Sequence, residues 1–335
     1  MKCLIIQPIH EVGIKFLKDN NIDVDISDSA KMDYIETVIK PYDAVITRNA
    51  GLTKKCIDSA PNLLVIGNHG VGVNPIDVEH ATYMGIPVIN TPTANSQSVA
   101  EHVFGQILCL YRRLVTADLS VRNLDSNFRY KNSFYELKGK TIAIIGFGRI
   151  GKIIKRIAEK AFNMRVLTVS REDIWGYTKI RDKRKKLGQS LKSSDCQLLA
   201  VLREADVVSL NIPLTDETTE LVDINWFEIM KNDALIVNTA RGELINNTHL
   251  VKALEAGLIA GAALDVFDIE PLPKDHILMN AEGILLSPHI GGSTVEALKR
   301  TAYETSLQVK EVLNNKRPKH LVNPESWSKR RRLKH

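Results

Sequence analysis

Lys140-Thr-Ile-Ala-Ile-Ile-Gly146-Phe-Gly148-Arg-Ile-Gly151 is the stretch that decides how this chain folds. Thr141 to Ile145 is a short, mostly β-branched apolar run, the signature of a strand buried on both faces. The three glycines follow at G-x-G-x-x-G spacing, and Ile153, Ile154, Ile157, Ala158 and Ala161 then recur with a helical period. The glycines therefore occupy a strand-to-helix turn. That setting suits a dinucleotide. Gly146 permits the tight turn, Gly148 lets backbone approach a pyrophosphate, and Gly151 allows helix and strand to pack closely. Phe147, Arg149 and Ile150 complete the loop, whose free N–H groups would receive the phosphates. Glycine-rich turns also precede helices that bind nothing; strand, spacing and helix together favour the nucleotide.

Outward from this turn the chain alternates. Downstream, strands are expected at Val166–Val169, Val207–Leu210, Leu235–Asn238, Gly261–Asp265 and Ile284–Ser287, with helical segments between most of them. Upstream, Cys3–Gln7, Ala44–Thr47, Leu63–Gly67 and Val88–Asn90 read as strands separated by helical patterns near Ile14–Lys18, Met32–Ile39, Thr53–Ser59 and Asp77–Met84. Such alternation predicts an α/β protein with mostly parallel sheets. Because the fingerprint lies outside residues 1–93, those residues form a separate α/β unit. Ser96 opens a long helix, with Ser98 and Glu101 as a capping box and an apolar pattern continuing to Leu119. It carries the chain from one domain to the next. A last helix, Thr294 to Asn314, is expected to bring it back.

The 335 residues suffice for two ordinary domains, and 44% apolar with 25% charged residues is the balance of a globular protein. No run of 18 apolar residues appears, and the N-terminus lacks a signal peptide's apolar core, so no membrane association is expected. Cys3, Cys56, Cys109 and Cys196 are dispersed without a C-x-x-C pair. This predicts reduced thiols in a cytoplasmic setting and no metal site. The net charge of +6 resides at the end of the chain: residues 316–335 hold eight Lys or Arg and one Glu, leaving the rest near neutral. The tail, residues 326–335, is expected to be a flexible, solvated end, with no nucleic-acid partner. A second basic run, Lys179 to Lys186, reads as an exposed surface insertion.

Several blocks carry a family resemblance: Gly70-Val-Gly-Val-Asn74, Asn90-Thr-Pro-Thr-Ala-Asn-Ser96, the glycine fingerprint, Pro213-Leu-Thr215, Asn238-Thr-Ala-Arg-Gly242, Asp265-Val-Phe-Asp-Ile-Glu-Pro271 and Pro288-His-Ile-Gly-Gly292. From about Leu4 to Val322 the chain resembles the D-isomer-specific 2-hydroxyacid dehydrogenases. That group contains phosphoglycerate dehydrogenase, glycerate dehydrogenase and glyoxylate/hydroxypyruvate reductase. The resemblance implies two doubly wound parallel-sheet domains. A Rossmann-type cofactor domain, 101–291, would be inserted in a flavodoxin-like substrate domain made of 1–100 and 292–335. It also implies a cleft between them and a homodimer.

Three residues match the family's chemistry, Arg241, Glu270 and His289. Each follows a predicted strand, where ligands of open α/β sheets gather. Singly, each is an ordinary loop residue; together, behind a nucleotide fingerprint, they read as a site. A guanidinium grips a 2-oxo acid's carboxylate with paired hydrogen bonds. An imidazole exchanges the proton, and a carboxylate beside it orients the ring and favours its charged form. Further contacts carry over by resemblance. Asp265 would hold the nicotinamide carboxamide, Thr239 and Ala240 would line the ring, and Pro213, Thr218 and Gly291 would touch the cofactor. On the substrate side, the amides of Val71 and Gly72 would bind the carboxylate, and Arg48 would reach a distal acid or phosphate group.

At the end of the second strand, NAD-users place an acid that binds the ribose 2′-hydroxyl. This chain has Ser170 and then Arg171, which suit a 2′-phosphate. NADP(H) is therefore the expected cofactor, with NAD(H) the alternative because Glu172 and Asp173 follow. Hydroxypyruvate or glyoxylate reduction is the expected reaction. The alternatives are NAD-dependent oxidation of D-3-phosphoglycerate, or an NAD(H)-sensing scaffold like the family's corepressors.

Overall fold

The computed structural model of the chain describes residues 1–186, 189–192 and 194–332. The chain divides into two compact units: Met1–Ser96 together with the segment from Gly292 onward, and Gln97–Gly291.

In the first unit, β1 (Lys2–Ile5), β2 (Asp23–Ile26), β3 (Ala44–Thr47), β4 (Val65–Asn68) and β5 (Val88–Ile89) form a parallel sheet in the order β2-β1-β3-β4-β5. This is the flavodoxin-like order. All four residues of β3 and of β4 are buried, which is why both are led by apolar residues, with Thr47 and Asn68 at their carboxyl ends. The helix Val295–Leu313 supplies Val309, Val312 and Leu313 to the same core as Ile5 and Ile46. It approaches the helix Glu11–Asp19 so closely that a Cβ on Gly13 would stand 2.8 Å from the Ala302 carbonyl oxygen. Sequence reading misses β2. It is an edge strand of Asp-Val-Asp-Ile with no fully buried residue, so it lacks the apolar run that marks its neighbours.

The tail is a second departure. Trp327 packs against the core of this unit, and Arg330 lies over its ring at 4.0 Å. Arg331 donates to the carbonyls of Met84, Ala60 and Pro61, and its own N–H to the Gly85 carbonyl. Asn323, 1% exposed, accepts from the Val88 N–H and donates to Thr82 Oγ1 and the Ile86 carbonyl. Arg331 therefore satisfies carbonyls left open at loop ends, and this part of the expected flexible tail is bound. Residues 333–335 lie outside the described residues.

In the second unit, β6 (Thr141–Ile145), β7 (Arg165–Val169), β8 (Val207–Leu210), β9 (Leu235–Asn238), β10 (Gly261–Leu264) and β11 (Ile284–Leu286) form a parallel sheet in the order β11-β10-β9-β8-β6-β7. The strand order reverses at β6, so the crevice beyond its carboxyl end is a switch point. Alternate residues of β6 enter two cores. Ala143 and Ile145 join Tyr177, Trp226 and Phe227, while Ile142 and Ile144 join Phe104 and Ile154.

The helix opened by Ser96 ends at Tyr111. Arg113 takes a left-handed conformation (φ 50°) and a second helix runs Leu114–Arg122. The Ser98–Glu101 capping box does not form. Ser98 Oγ donates to the Gly291 carbonyl instead, and Glu101 accepts from Gln97. The basic run falls in a helix, Arg171–Lys186, that buries Ile174 and Tyr177, with Arg184 paired to Asp195 at 2.9 Å. The buried residues precede the run itself, in which Lys179, Lys183 and Lys186 are exposed as expected. Among the described residues no helix is long and apolar enough to cross a membrane, and no group of three His, Cys, Asp or Glu is placed to hold a metal ion.

Candidate active site

The second unit brings Arg241, Glu270 and His289 to turns beyond the carboxyl ends of β9, β10 and β11. Each turn is shaped locally. At the end of β9, the fully buried Asn238 accepts from the Ala240 N–H (3.0 Å) and donates to the Arg241 carbonyl (2.7 Å), fixing where Arg241 departs. Arg241 gives one N–H to the Ala240 carbonyl and keeps the rest of its fork. Burial lowers the guanidinium pKa, against the opposing pull of Glu243 and Glu270.

Glu270 Oε2 and His289 Nδ1 are 2.7 Å apart, and Glu270 Oε1 accepts from the Phe267 N–H. Burial pushes the Glu270 carboxyl up. The His289 hydrogen bond and charge, the Phe267 N–H and the Arg241 charge outweigh it, and hold the group below the usual carboxylate range. His289 itself sits in the left-handed region, φ 54°, with its N–H on the Asp265 and Ser287 carbonyls. Its ring is 34% exposed, so it is anchored on one side and open on the other.

Asp265, 2% exposed, organises this turn. Its carboxylate accepts from Ser287 Oγ (2.6 Å), the Ile290 N–H (2.9 Å) and the Gly291 N–H (2.7 Å), with His102 Nε2 at 3.3 Å. The carboxylate therefore ties together the turn that carries His289. Gly291 belongs to the same turn. It is buried, its N–H and carbonyl are both bonded within the protein, and a Cβ there would stand 2.9 Å from Asp265 Oδ2.

The glycine turn fits a dinucleotide. Gly146 has φ 94°, and a Cβ there would lie 2.6 Å from the Asn211 carbonyl oxygen; one on Gly151 would lie 2.6 Å from the Gly146 oxygen. At Gly148 nothing stands within 4 Å of that position. The helix Arg149–Phe162 starts there with no side chain capping it, so its first N–H groups await an acceptor such as a pyrophosphate. Phe147 and Arg149 are exposed beside it, and Ile150 is half-buried.

Ser170 caps the next helix. Its Oγ accepts from the Asp173 N–H, and the Asp173 carboxylate accepts from the Ser170 N–H. Asp173 is thereby occupied, while the Arg171 guanidinium lies over the Trp175 ring at 4.4 Å. Pro213 is exposed, whereas the Thr218 hydroxyl turns into its own loop, donating to the Pro213 carbonyl and accepting from the Thr215 N–H. Thr218 thus shapes the loop. Thr239 and Ala240 are half-buried at the end of β9.

Within the first unit, the carbonyls of Val71 and Gly72 are tied to Asn90 and Asn68, and among the described residues neither amide donates to the protein. Arg48 follows β3 and donates to the Pro8 carbonyl, and burial lowers its pKa.

Residues 104–291 match the D-isomer specific 2-hydroxyacid dehydrogenase NAD-binding domain. The chain belongs to that family. It is 36% identical to a glyoxylate reductase of Pyrococcus furiosus over 97% of this chain and 96% of that one. It is 36% identical to a D-3-phosphoglycerate dehydrogenase of Methanocaldococcus jannaschii over 96% of its own length, and spans 59% of that relative. An acyclic imino acid reductase solved with NADPH and D-arginine superimposes with a TM-score of 0.80, at 26% identity, over 96% of this chain and all of that one.

As a 2-hydroxyacid dehydrogenase the chain also uses residues that sequence reading passed over. His102 and Gln106 both reach Ser287 Oγ at 3.1 Å and so support Asp265. Their signal was two polar residues at i,i+4 spacing amid the apolar residues Val103, Phe104, Ile107 and Leu108. The donors around Asp265 outweigh burial and depress its pKa. A depressed carboxyl stabilises the fold above its unfolded pKa, about 3.9, and loses that contribution as pH falls through the folded value. Asp265→Asn is therefore expected to cost about 1–3 kcal/mol at neutral pH. The gap in Tm from the parent should close below about pH 4; a gap independent of pH refutes the assignment.

Proposed function

We propose that this 2-hydroxyacid dehydrogenase reduces hydroxypyruvate or glyoxylate to the D-2-hydroxy acid, with NADPH as the preferred cofactor. The 2.7 Å bond between His289 and Glu270, on a ring otherwise open, carries the reading. With Nδ1–H given to Glu270, Nε2 is the atom that exchanges a proton with the substrate oxygen. Arg241 holds the carboxylate and polarises the adjacent carbonyl with the donors it retains. When bound, the nicotinamide supplies the hydride. Glu270 keeps the imidazole oriented and offsets the positive charge it bears before donation. In the first unit, the free amides of Val71 and Gly72 form the anion-binding element, with Arg48 beyond β3. Thr239, Ala240 and Pro213 are taken as cofactor contacts.

The stacked Arg171 supports NADPH, because its position on Trp175 leaves the guanidinium edge for a phosphate. Oxidation of 3-phosphoglycerate is the second reading, favoured by Arg48. The scaffold reading is the third, and of the described tail arginines only Arg332 is exposed for it, since Arg330 and Arg331 are bound within the first unit. A homodimer is part of the proposal. Helix Leu114–Arg122 has no buried residue and exposes Leu114, Val115, Leu119 and Val121, an apolar face suited to a second copy.

The test compares NADPH and NADH with hydroxypyruvate, glyoxylate and phosphohydroxypyruvate, on protein whose mass is read by light scattering. NADPH with the first two acids should give the fastest turnover. Arg171→Ala should reduce the preference for NADPH by roughly ten- to hundred-fold, the loss of one charge-assisted contact. Faster turnover with phosphohydroxypyruvate and NADH would select the second reading. No turnover from protein that binds cofactor would overturn both.

A further inference from the structure

Glu270 stands on a loop, Val266–Pro271, that is largely exposed: Asp268, Ile269, Glu270 and Pro271 all face solvent. A carboxylate that must hold an imidazole at 2.7 Å needs a firmer base than such a loop provides. The base lies a few residues on. Leu278, 2% exposed, is sunk in the core that contains Trp226 and Phe227. It belongs to the short helical turn Ile277–Asn280, capped by His276, whose Nδ1 accepts from the Leu278 N–H at 3.3 Å. An Nδ1 that accepts must be unprotonated, which leaves the ring proton on Nε2. That atom lies 3.3 Å from Asp268 Oδ1, within reach of a charge–dipole contact, and the imidazole is 12% exposed. On its other side the loop rests directly on Gly242, where a Cβ would collide with the backbone of Phe267 and Asp268.

We infer that His276 and Asp268 are a positioning pair: His276, fixed to the core through Leu278, holds Asp268 and thereby sets the place of Glu270 against His289. Neither residue touches the reacting atoms. The two His–carboxylate pairs act in series, one static and one catalytic. The inference rests on the proposed acid–base role of His289.

His276→Asn separates the two functions of the imidazole. Asparagine still caps the turn through its side-chain oxygen but is too short to reach Asp268. The expected result is a kcat lowered about ten-fold with KM for the 2-oxo acid nearly unchanged. The pH profile of reduction should also change, because a looser Glu270 holds the ring less firmly. A merely structural role would lower Tm without moving the pH profile. Asp268→Asn should reproduce the effect, and the double variant should be no worse than either single one. Unchanged kcat and pH profile in both single variants, or additive losses in the double, overturns the inference. If His276→Asn fails to fold, Asp268→Asn alone decides by the same two readouts. His289→Asn, assayed in parallel, keeps the layers apart. Turnover that survives it removes the acid–base reading. Turnover that it abolishes, with His276→Asn and Asp268→Asn unaffected, removes the positioning pair only.

Discussion

His289→Asn is expected to lower reductive turnover by about two to four orders of magnitude, the usual contribution of a positioned acid–base group, while leaving cofactor affinity and Tm close to those of the parent. The structure separates the ring's chemistry from the turn's stability. The turn is held by backbone: the His289 N–H on the Asp265 and Ser287 carbonyls, and the Ile290 and Gly291 N–H groups on the Asp265 carboxylate. The imidazole makes one hydrogen bond, to Glu270, and is a third exposed. Asparagine tolerates the left-handed conformation that residue 289 adopts, so the backbone loses little. Stopped-flow or steady-state assays with hydroxypyruvate, beside a fluorescence titration of NADPH, check both halves. Turnover within a few-fold of the parent would remove His289 from the chemistry. Loss of cofactor binding would assign it to the cofactor site instead.

Gly242→Ala should have the second large effect, for the opposite reason. No unusual dihedral requires glycine there; the space is simply filled. An added Cβ would overlap the Phe267 carbonyl carbon and the Asp268 nitrogen, both backbone atoms that cannot rotate away. The neighbouring loop must retreat, carrying Glu270 from His289, or Arg241 must shift on the other side. Overpacking of this kind costs about 1–3 kcal/mol or more, and an ångström of misplacement costs about a hundred-fold in rate. Both losses are expected together, in a Tm measurement and in kcat. An alanine variant with parental stability and rate would show that the loop is free to move and does not set the site.

The arrangement of strands could be read from the chain because ten of the eleven strands announce themselves as apolar runs, and the glycine turn names the switch point. The exception, Asp23–Ile26, is an edge strand whose pairing depends on β1 and leaves no mark in its own composition. The set Arg241, Glu270 and His289 was picked out by the family resemblance, and the structure places all three beyond strand ends. What was not visible is how their supports are wired. That Asp265 also holds the 287–291 turn, and that Thr218 bonds within its own loop, has no mark in the sequence. Side-chain bonds over long separations, such as Gln106 to Ser287, have no periodicity to betray them. Nor did the charge of the tail reveal its partners, because the carbonyls that bind Arg331 lie at Ala60, Pro61 and Met84, far away in sequence.

That last feature bears on how the protein is made. The cofactor-binding unit is one continuous segment, and it can fold as soon as residue 291 has left the ribosome. The first unit cannot. Its sheet is synthesised first, yet Val309, Val312 and Leu313, which cover one face, and Asn323 and Arg331, which close its loops, come last. During translation of everything between, the strands β1 to β5 wait with one apolar face uncovered. The earliest part of this chain to emerge is therefore the last to be finished, and the most in need of a chaperone's cover until the final helix arrives.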